Sequence, residues 1–145
     1  MNFVTKILFV CHGNICRSPM AEFVMKDMVE KAGLSGQVHV NSVAASREEE
    51  GNFLYPPARR ELEKHNVPWE RKRARLITRQ DVEEYDRIYY MDGRNLRYLR
   101  QLFPGVTKFK PLLSRDVADP YYSGDFGQTW DDICEGCQRI LEELK

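Results

Sequence analysis

The sequence predicts an α/β protein: a single domain over residues 1–145, with a four-stranded, doubly wound parallel sheet and helices on both faces. Three observations carry that reading. The first apolar run, Val4 to Val10, sets Ile7, Leu8, Phe9 and Val10 side by side, the pattern of a strand covered on both faces. Strand-length apolar runs then alternate with stretches of helical spacing, as right-handed βαβ units require. A chain of 145 residues buries one good core but does not divide comfortably into two.

Taken in order, the opening strand runs into "CHGNICRSP", where Ser18 reads as an N-cap and Pro19 as the first helical residue. Ala21, Val24, Met25, Met28 and Ala32 recur at helical spacing, and Gly33 and Gly36 end that helix. "QVHVNSVA" from Gln37 is a second strand, followed by an irregular stretch through "REEEGNFLYPP" and a helix near Ala58 to Asn66. "DRIYYMD", Asp86 to Asp92, is the third strand, with a helix from Asn95 to Leu102 and a short fourth strand around Thr107 to Phe109. After the turn-rich "LLSRDVADPYYSGD", the residues Phe126, Trp130, Ile133, Cys134, Cys137, Ile140, Leu141 and Leu144 mark the apolar face of a closing helix.

The charge balance removes several function classes. Twenty-two basic residues offset twenty-two acidic ones, so no global field recruits nucleic acid, and the basic "RKRARLITR" reads as a solvated segment. No run approaches the ~20 apolar residues of a membrane span, and a secretory core is missing, which points to the cytoplasm. Four cysteines, Cys11, Cys16, Cys134 and Cys137, are too few for a disulfide scaffold. The last two read as core residues of the closing helix, since a metal site would need two further ligands. No metal or cofactor is expected.

The chemistry concentrates in "CHGNICR". In doubly wound sheets ligands bind beyond the carboxyl ends of the strands, where Cys11 falls. Backbone N–H groups of a tight loop at Gly13, Asn14, Ile15 and Cys16 can converge on an anion, and the next helix adds its positive end. Gly13 and Asn14 tolerate left-handed backbone angles, and Arg17 offers two parallel donors to phosphate oxygens. The same field favours thiolate, the nucleophilic form of a cysteine, and Ser18 can donate to the Cys11 sulfur. The spacing is not that of a nucleotide P-loop, which needs a lysine this loop lacks.

Expelling a phenolate calls for a carboxylic acid above the leaving oxygen. Asp119 is the candidate: Pro120 stiffens the turn after it, and Tyr121 and Tyr122 can stack on an aromatic substrate. Asp116 and Asp125 lie nearby without that context.

"FVCHGNICRSPMAE", together with "ADPYY", "MDGRNL" and the spaced cysteines of the last helix, resembles the low-molecular-weight protein tyrosine phosphatases over essentially the whole chain. The resemblance implies hydrolysis of phosphotyrosine through a cysteinyl-phosphate. Cys11 would be the nucleophile, Arg17 the phosphate clamp and Asp119 the general acid that later activates water. It implies phosphotyrosine-containing proteins as partners, with a cognate tyrosine kinase opposing them. It also implies a reversible Cys11–Cys16 disulfide under peroxide, Ser42 in a supporting network around Asn14, and His12 at the substrate entrance.

The match departs from the family in places. Where relatives carry an aromatic wall of the substrate slot this chain reads "ASREEEGNF", with Glu48 near that position; either Phe53 takes the role or the wall is missing. A histidine that braces the loop asparagine is replaced by Lys72. Three glutamates at the entrance would repel acidic peptides. On the same scaffold an arsenate reductase would need relay cysteines, and residues 70–100 hold none. A phosphoarginine phosphatase would carry threonine where Ile15 stands. A module that only binds phosphate would lack the nucleophile, the arginine or the acid.

Overall fold

The computed structural model describes residues 3–145. In chain order the elements are β1 (Thr5–Cys11), α1 (Arg17–Lys31), β2 (Val38–Ala44), α2 (Pro56–Lys64), α3 (Arg79–Glu84), β3 (Arg87–Tyr90), α4 (Gly93–Leu102), β4 (Phe109–Pro111), α5 (Pro120–Ser123) and α6 (Phe126–Leu144). The strands form one all-parallel sheet in the order β2-β1-β3-β4. β1 is therefore flanked on both sides. Alternate residues of it point to opposite faces: Ile7, Phe9 and Cys11 pack with Met20, Val24 and Ile133 of α1 and α6, whereas Leu8 and Val10 pack with Val82 and Leu99 of α3 and α4. Both faces being covered explains the unbroken apolar run and establishes the doubly wound α/β fold.

β1 is also the strand that brings chemistry to the sheet edge. Val10 pairs with Val43 and Tyr90, and Cys11, the last strand residue, pairs with Ala44 alone. The chain leaves the sheet just where β3 stops beside it, so a crevice opens beyond Cys11.

Several boundaries differ from the sequence expectation, each for a physical reason. α1 begins at Arg17 with Cys16 at the N-cap, so Ser18 and Pro19 lie inside the first turn rather than at its cap and first position. Cys16 makes no side-chain cap, and the first turn holds no acidic residue. The leading N–H groups of this helix are thus left without the side-chain oxygen that normally takes them. α3, not expected from the sequence, begins where the basic stretch ends; its signal is a capping box in which Thr78 Oγ1 accepts from Asp81 N at 3.1 Å and Asp81 Oδ2 accepts from Thr78 N at 2.8 Å. β4 begins at Phe109, two residues later than expected, and α5 is a single turn inside the predicted loop. α2 starts at Pro56, whose fixed φ suits a first helical position. Cys134 and Cys137 sit on α6 against the core, as expected; burial and the neighbouring Asp131 push the Cys134 thiol up to about 11. Among the described residues no helix is long and apolar enough to cross a membrane.

Candidate active site

The loop between β1 and α1 wraps around the Cys11 sulfur. Asn14 takes the left-handed conformation (φ 60°) that asparagine tolerates better than most residues, and its N–H donates to Cys11 Sγ at 3.3 Å. Gly13, expected to share that role, does not have a positive φ. Its value is size, because a Cβ there would stand 3.0 Å from Glu49 Cγ. Ser18, displaced from the cap, lies with its Oγ 3.1 Å from Cys11 Sγ and donates to Val43 O at 3.2 Å. Ile15 O accepts from Tyr55 N at 2.9 Å, which pins the far side of the loop to the segment leading into α2.

Behind the loop runs a buried polar chain. The Asn14 side chain donates from Nδ2 to Ser18 Oγ at 2.8 Å and to Ser42 Oγ at 3.0 Å. Ser42 Oγ in turn donates to Glu22 Oε1 at 2.6 Å. Lys72 does not brace Asn14, whose Oδ1 accepts instead from Arg75 N at 3.4 Å. Lys72 Nζ donates to Glu22 Oε1 and Asn41 Oδ1, both at 2.7 Å, and approaches Ser42 O at 3.0 Å. Lys26 closes the other Glu22 oxygen at 2.6 Å. Burial would raise the Glu22 carboxyl, yet the charge of Lys72 and the hydrogen bonds from Lys26, Lys72 and Ser42 hold it below its ordinary value. Burial, with the nearby charges of Lys26 and Arg75, holds Lys72 below its ordinary value despite Glu22.

This cluster has a measurable consequence. Lys72→Met should destabilise the fold by about 2–3 kcal/mol, less than a fully orphaned buried pair because Lys26 still holds Glu22. Chemical denaturation of both forms checks it. For Glu22 the folded value lies below the unfolded 4.5. Its contribution is therefore complete above about pH 4.5 and is lost as pH falls through the lower folded value.

Arg17 is the largest fully buried side chain, only 2 % exposed. Its Nη1 donates to Asp92 Oδ2 at 2.6 Å and to Val117 O at 2.7 Å, and its Nη2 lies 3.4 Å from Asp119 Oδ2. Burial alone would lower its pKa, but negative charge at Cys11, Asp119 and Asp92 raises it further above the ordinary arginine value. Asp92 escaped the sequence analysis. It does two jobs from the N-cap of α4: Oδ1 accepts from Asn95 N at 2.8 Å while Oδ2 holds the guanidinium. The signal for it was the "DGRN" capping pattern after a strand. Asp92→Asn keeps a good cap and removes the charge. Loss of Arg17 orientation should lower kcat/KM about 10–100-fold, in line with one charge-assisted hydrogen bond of ~1.5–3 kcal/mol, with little change in Tm. Steady-state kinetics beside a thermal melt distinguishes the two effects.

Asp119 caps α5: Oδ1 accepts from Tyr121 N at 3.1 Å, and Oδ2 faces Arg17. Asp116 instead accepts from Gly93 N at 3.2 Å, and Asp125 caps α6 by accepting from Gln128 N at 2.9 Å; neither lines the cleft. The cleft above Cys11 measures about 170 Å³. Gly13, Ile15, Cys16 and Arg17 form its floor with Cys11, and Asp119, Tyr121 and Tyr122 stand on one side. Tyr121 packs on Tyr55 with ring centroids 5.4 Å apart and meets Tyr122 edge-on at 5.3 Å. His12, Glu48 and Glu49 complete the cleft lining. His12 Nε2 and Glu48 Oε2 are 2.7 Å apart, and the histidine ring meets Tyr98 edge-on at 5.3 Å.

Phe53 does not take the place of the missing aromatic wall. It pairs with Arg73 in an isolated antiparallel bridge, outside the cleft lining, with the guanidinium groups of Arg71 and Arg73 at 4.1 and 4.5 Å from its ring. Two cations hold that ring by its π face, so carboxylates rather than a ring complete the slot. Cys11 and Cys16 are both free thiols. Burial, with negative charge at Cys11 and Asp119, pushes the Cys16 thiol well above its ordinary value.

A thiol at the end of an inner strand, a loop amide directed at it, a buried arginine and a facing carboxylate define a cysteine-dependent phosphomonoesterase class of doubly wound protein. The family profile "Low molecular weight phosphotyrosine protein phosphatase" matches residues 6–145. The chain belongs to that family. It is 34% identical to the low molecular weight protein-tyrosine-phosphatase YfkJ of Bacillus subtilis (strain 168), covering 96% of this chain and 95% of that protein. The YfkJ crystal structure superimposes with a TM-score of 0.92 at 33% identity, over 97% of this chain and 94% of that one. Identity reaches 40% with low molecular weight phosphotyrosine protein phosphatase 1 of Drosophila melanogaster, over 97% of each chain. A structure titled DARP, drosophila arginine phosphatase, also superimposes, with a TM-score of 0.87 at 32% identity over 97% of this chain and 98% of that one. The protein is thus an enzyme of the protein-tyrosine-phosphatase type.

Proposed function

We propose that the chain dephosphorylates phosphotyrosine in proteins by two in-line displacements at Cys11. The observation that carries this reading is the convergence of Cys11, Arg17 and Asp119 on one small cleft. In the first step the Cys11 sulfur donates an electron pair to phosphorus and forms the S–P bond as the P–O bond to the phenol breaks. Asp119 delivers a proton to the departing oxygen. Arg17 and the loop N–H groups hold the three equatorial oxygens, whose charge is spread through the transition state. In the second step the Asp119 carboxylate takes a proton from water, oxygen attacks phosphorus, and the thiolate leaves with inorganic phosphate as the product.

His12, Gly13, Asn14, Ile15 and Cys16 bind the phosphate on this reading. Ser18 and Ser42 support the loop, and Tyr121, Tyr122, His12 and Glu48 border the leaving group. Phosphotyrosine proteins made by an opposing tyrosine kinase, in the cytoplasm, are its substrates. The arginine phosphatase among its structural relatives keeps phosphoarginine as the competing substrate. Ile15 favours the aryl ester, since it sets an apolar side chain at the slot floor. Rates on peptides carrying phosphotyrosine, phosphoserine or phosphoarginine at one position are the test. Phosphotyrosine should exceed both others at least tenfold in kcat/KM, and a faster phosphoarginine peptide would overturn the assignment.

A further inference from the structure

Helix α4 starts beside the Cys11 cleft and carries a row of cations away from it. Its Tyr98 ring meets His12, a lining residue of the cleft, edge-on at 5.3 Å, and the Arg94 guanidinium stands 6.0 Å from the Tyr98 ring. Arg94 is therefore within about three extended residues of the His12 ring, at ~3.3 Å each. Tyr98, and then Tyr122 and Glu48 of the cleft lining, hold the Arg94 pKa above its ordinary value, which accords with that position. Arg97 and Arg100 follow at three-residue spacing, about 4.5 and 9 Å further along the helix axis. All three arginines are exposed, and Arg94 and Arg97 line one groove with Tyr98 and Gln101.

Nothing inside the fold offsets this charge. α4 holds three arginines and no carboxylate, and the arginine–carboxylate ion pairs among the described residues leave out all three. Arg94 lies in the first turn, where the helix dipole disfavours a cation, and arginines three apart on a helix repel one another. The carboxylates at this end are spent elsewhere: Asp92 on Arg17, Asp116 on Gly93 N, and Glu48 on His12. Because basic and acidic residues balance over the whole chain at twenty-two each, the excess on α4 is a local feature.

On the phosphotyrosine reading of the cleft, we propose that the outer face of α4 docks an acidic segment of the phosphoprotein substrate, extended along Arg94, Arg97 and Arg100 while its phosphotyrosine occupies the Cys11 cleft. Continuity with the cleft selects a substrate over a lipid surface or nucleic acid, neither of which needs a row that starts at the catalytic mouth. The preference depends on position. Glu48 and Glu49 line the mouth and oppose acids beside the phosphotyrosine, whereas the arginines take acids from about the third residue outward. Each guanidinium meets a carboxylate in a charge-assisted pair. Exposed pairs are individually weak and screened, so the gain needs several acids and falls with salt.

The test uses phosphotyrosine peptides that are neutral, that carry aspartates beside the phosphotyrosine, or that carry them three to six positions before or after it. At low salt one of the two distal-acid peptides should exceed the neutral one at least fivefold in kcat/KM, through KM, and adjacent aspartates should give no gain. The gain should vanish near ~1 M salt. Arg97→Gln/Arg100→Gln should remove it and Arg97→Glu/Arg100→Glu should turn it into a loss, with circular dichroism and turnover of p-nitrophenyl phosphate unchanged. A parent enzyme indifferent to distal acids, an equal gain from adjacent ones, or double variants that keep the gain would overturn the proposal. So would variants that lose binding to phosphatidylserine vesicles while peptide preference stays as it was, which would give the face to a membrane. Turnover of the neutral phosphotyrosine peptide reads the phosphatase assignment by itself, so the two can fail separately.

Discussion

Cys11→Ser is expected to remove turnover by at least ~10⁴-fold while leaving inorganic phosphate bound with nearly unchanged affinity. The side chains have similar size, so the loop keeps its shape. Asn14 N–H, Arg17 and the open first turn of α1 still face the anion. What disappears is the nucleophile, since a serine hydroxyl in this setting has no base beside it and remains neutral. Steady-state rates on p-nitrophenyl phosphate, with calorimetric titration of phosphate, separate chemistry from binding. Residual activity within a hundredfold of the parent would sink the nucleophile assignment.

Asp119→Ala should produce the second largest loss, about 10²–10⁴-fold for phenyl phosphate and much less for esters whose leaving groups depart without a proton. The alanine also deletes the α5 cap on Tyr121 N, worth about 1 kcal/mol. Asp119→Asn resolves that ambiguity because it can cap but cannot deliver or take a proton. Rates across a series of substituted phenyl phosphates should fall steeply with leaving-group basicity in both variants. An equal loss along the whole series would assign Asp119 to loop structure alone.

The parts of the fold legible in the sequence are those set by neighbours along the chain. β1 announced itself because burial on both faces leaves no polar alternation, and the anion loop because its glycine, asparagine and arginine are local requirements. The hold of Asp92 on Arg17 was not legible, since the two are 75 positions apart and only the β1–β3 pairing brings them together. The same holds for Glu22, which reads as one charged residue on an amphipathic helix until Lys72 and Ser42 fold over it. The place of Phe53 was left open for a related reason: its fate depends on two arginines contributed by a later segment. The start of α1 was displaced because Ser18 and Pro19 resemble a cap, whereas the anion loop holds its helix end open and sends Ser18 to the sulfur.

Ser18 has only one proton to give. Asn14 Nδ2 already donates to its oxygen, so the hydroxyl must choose between Val43 O at 3.2 Å and the sulfur at 3.1 Å. A thiolate is the stronger acceptor and takes the proton; a sulfur esterified to phosphate has lost that charge and gives it back to the carbonyl. The hydroxyl thus works as a two-position relay thrown once in each direction per catalytic cycle. Its movement is one torsion on the picosecond-to-nanosecond scale, far faster than turnover. The loop can therefore meet a charged and an uncharged sulfur in alternation with its backbone standing still.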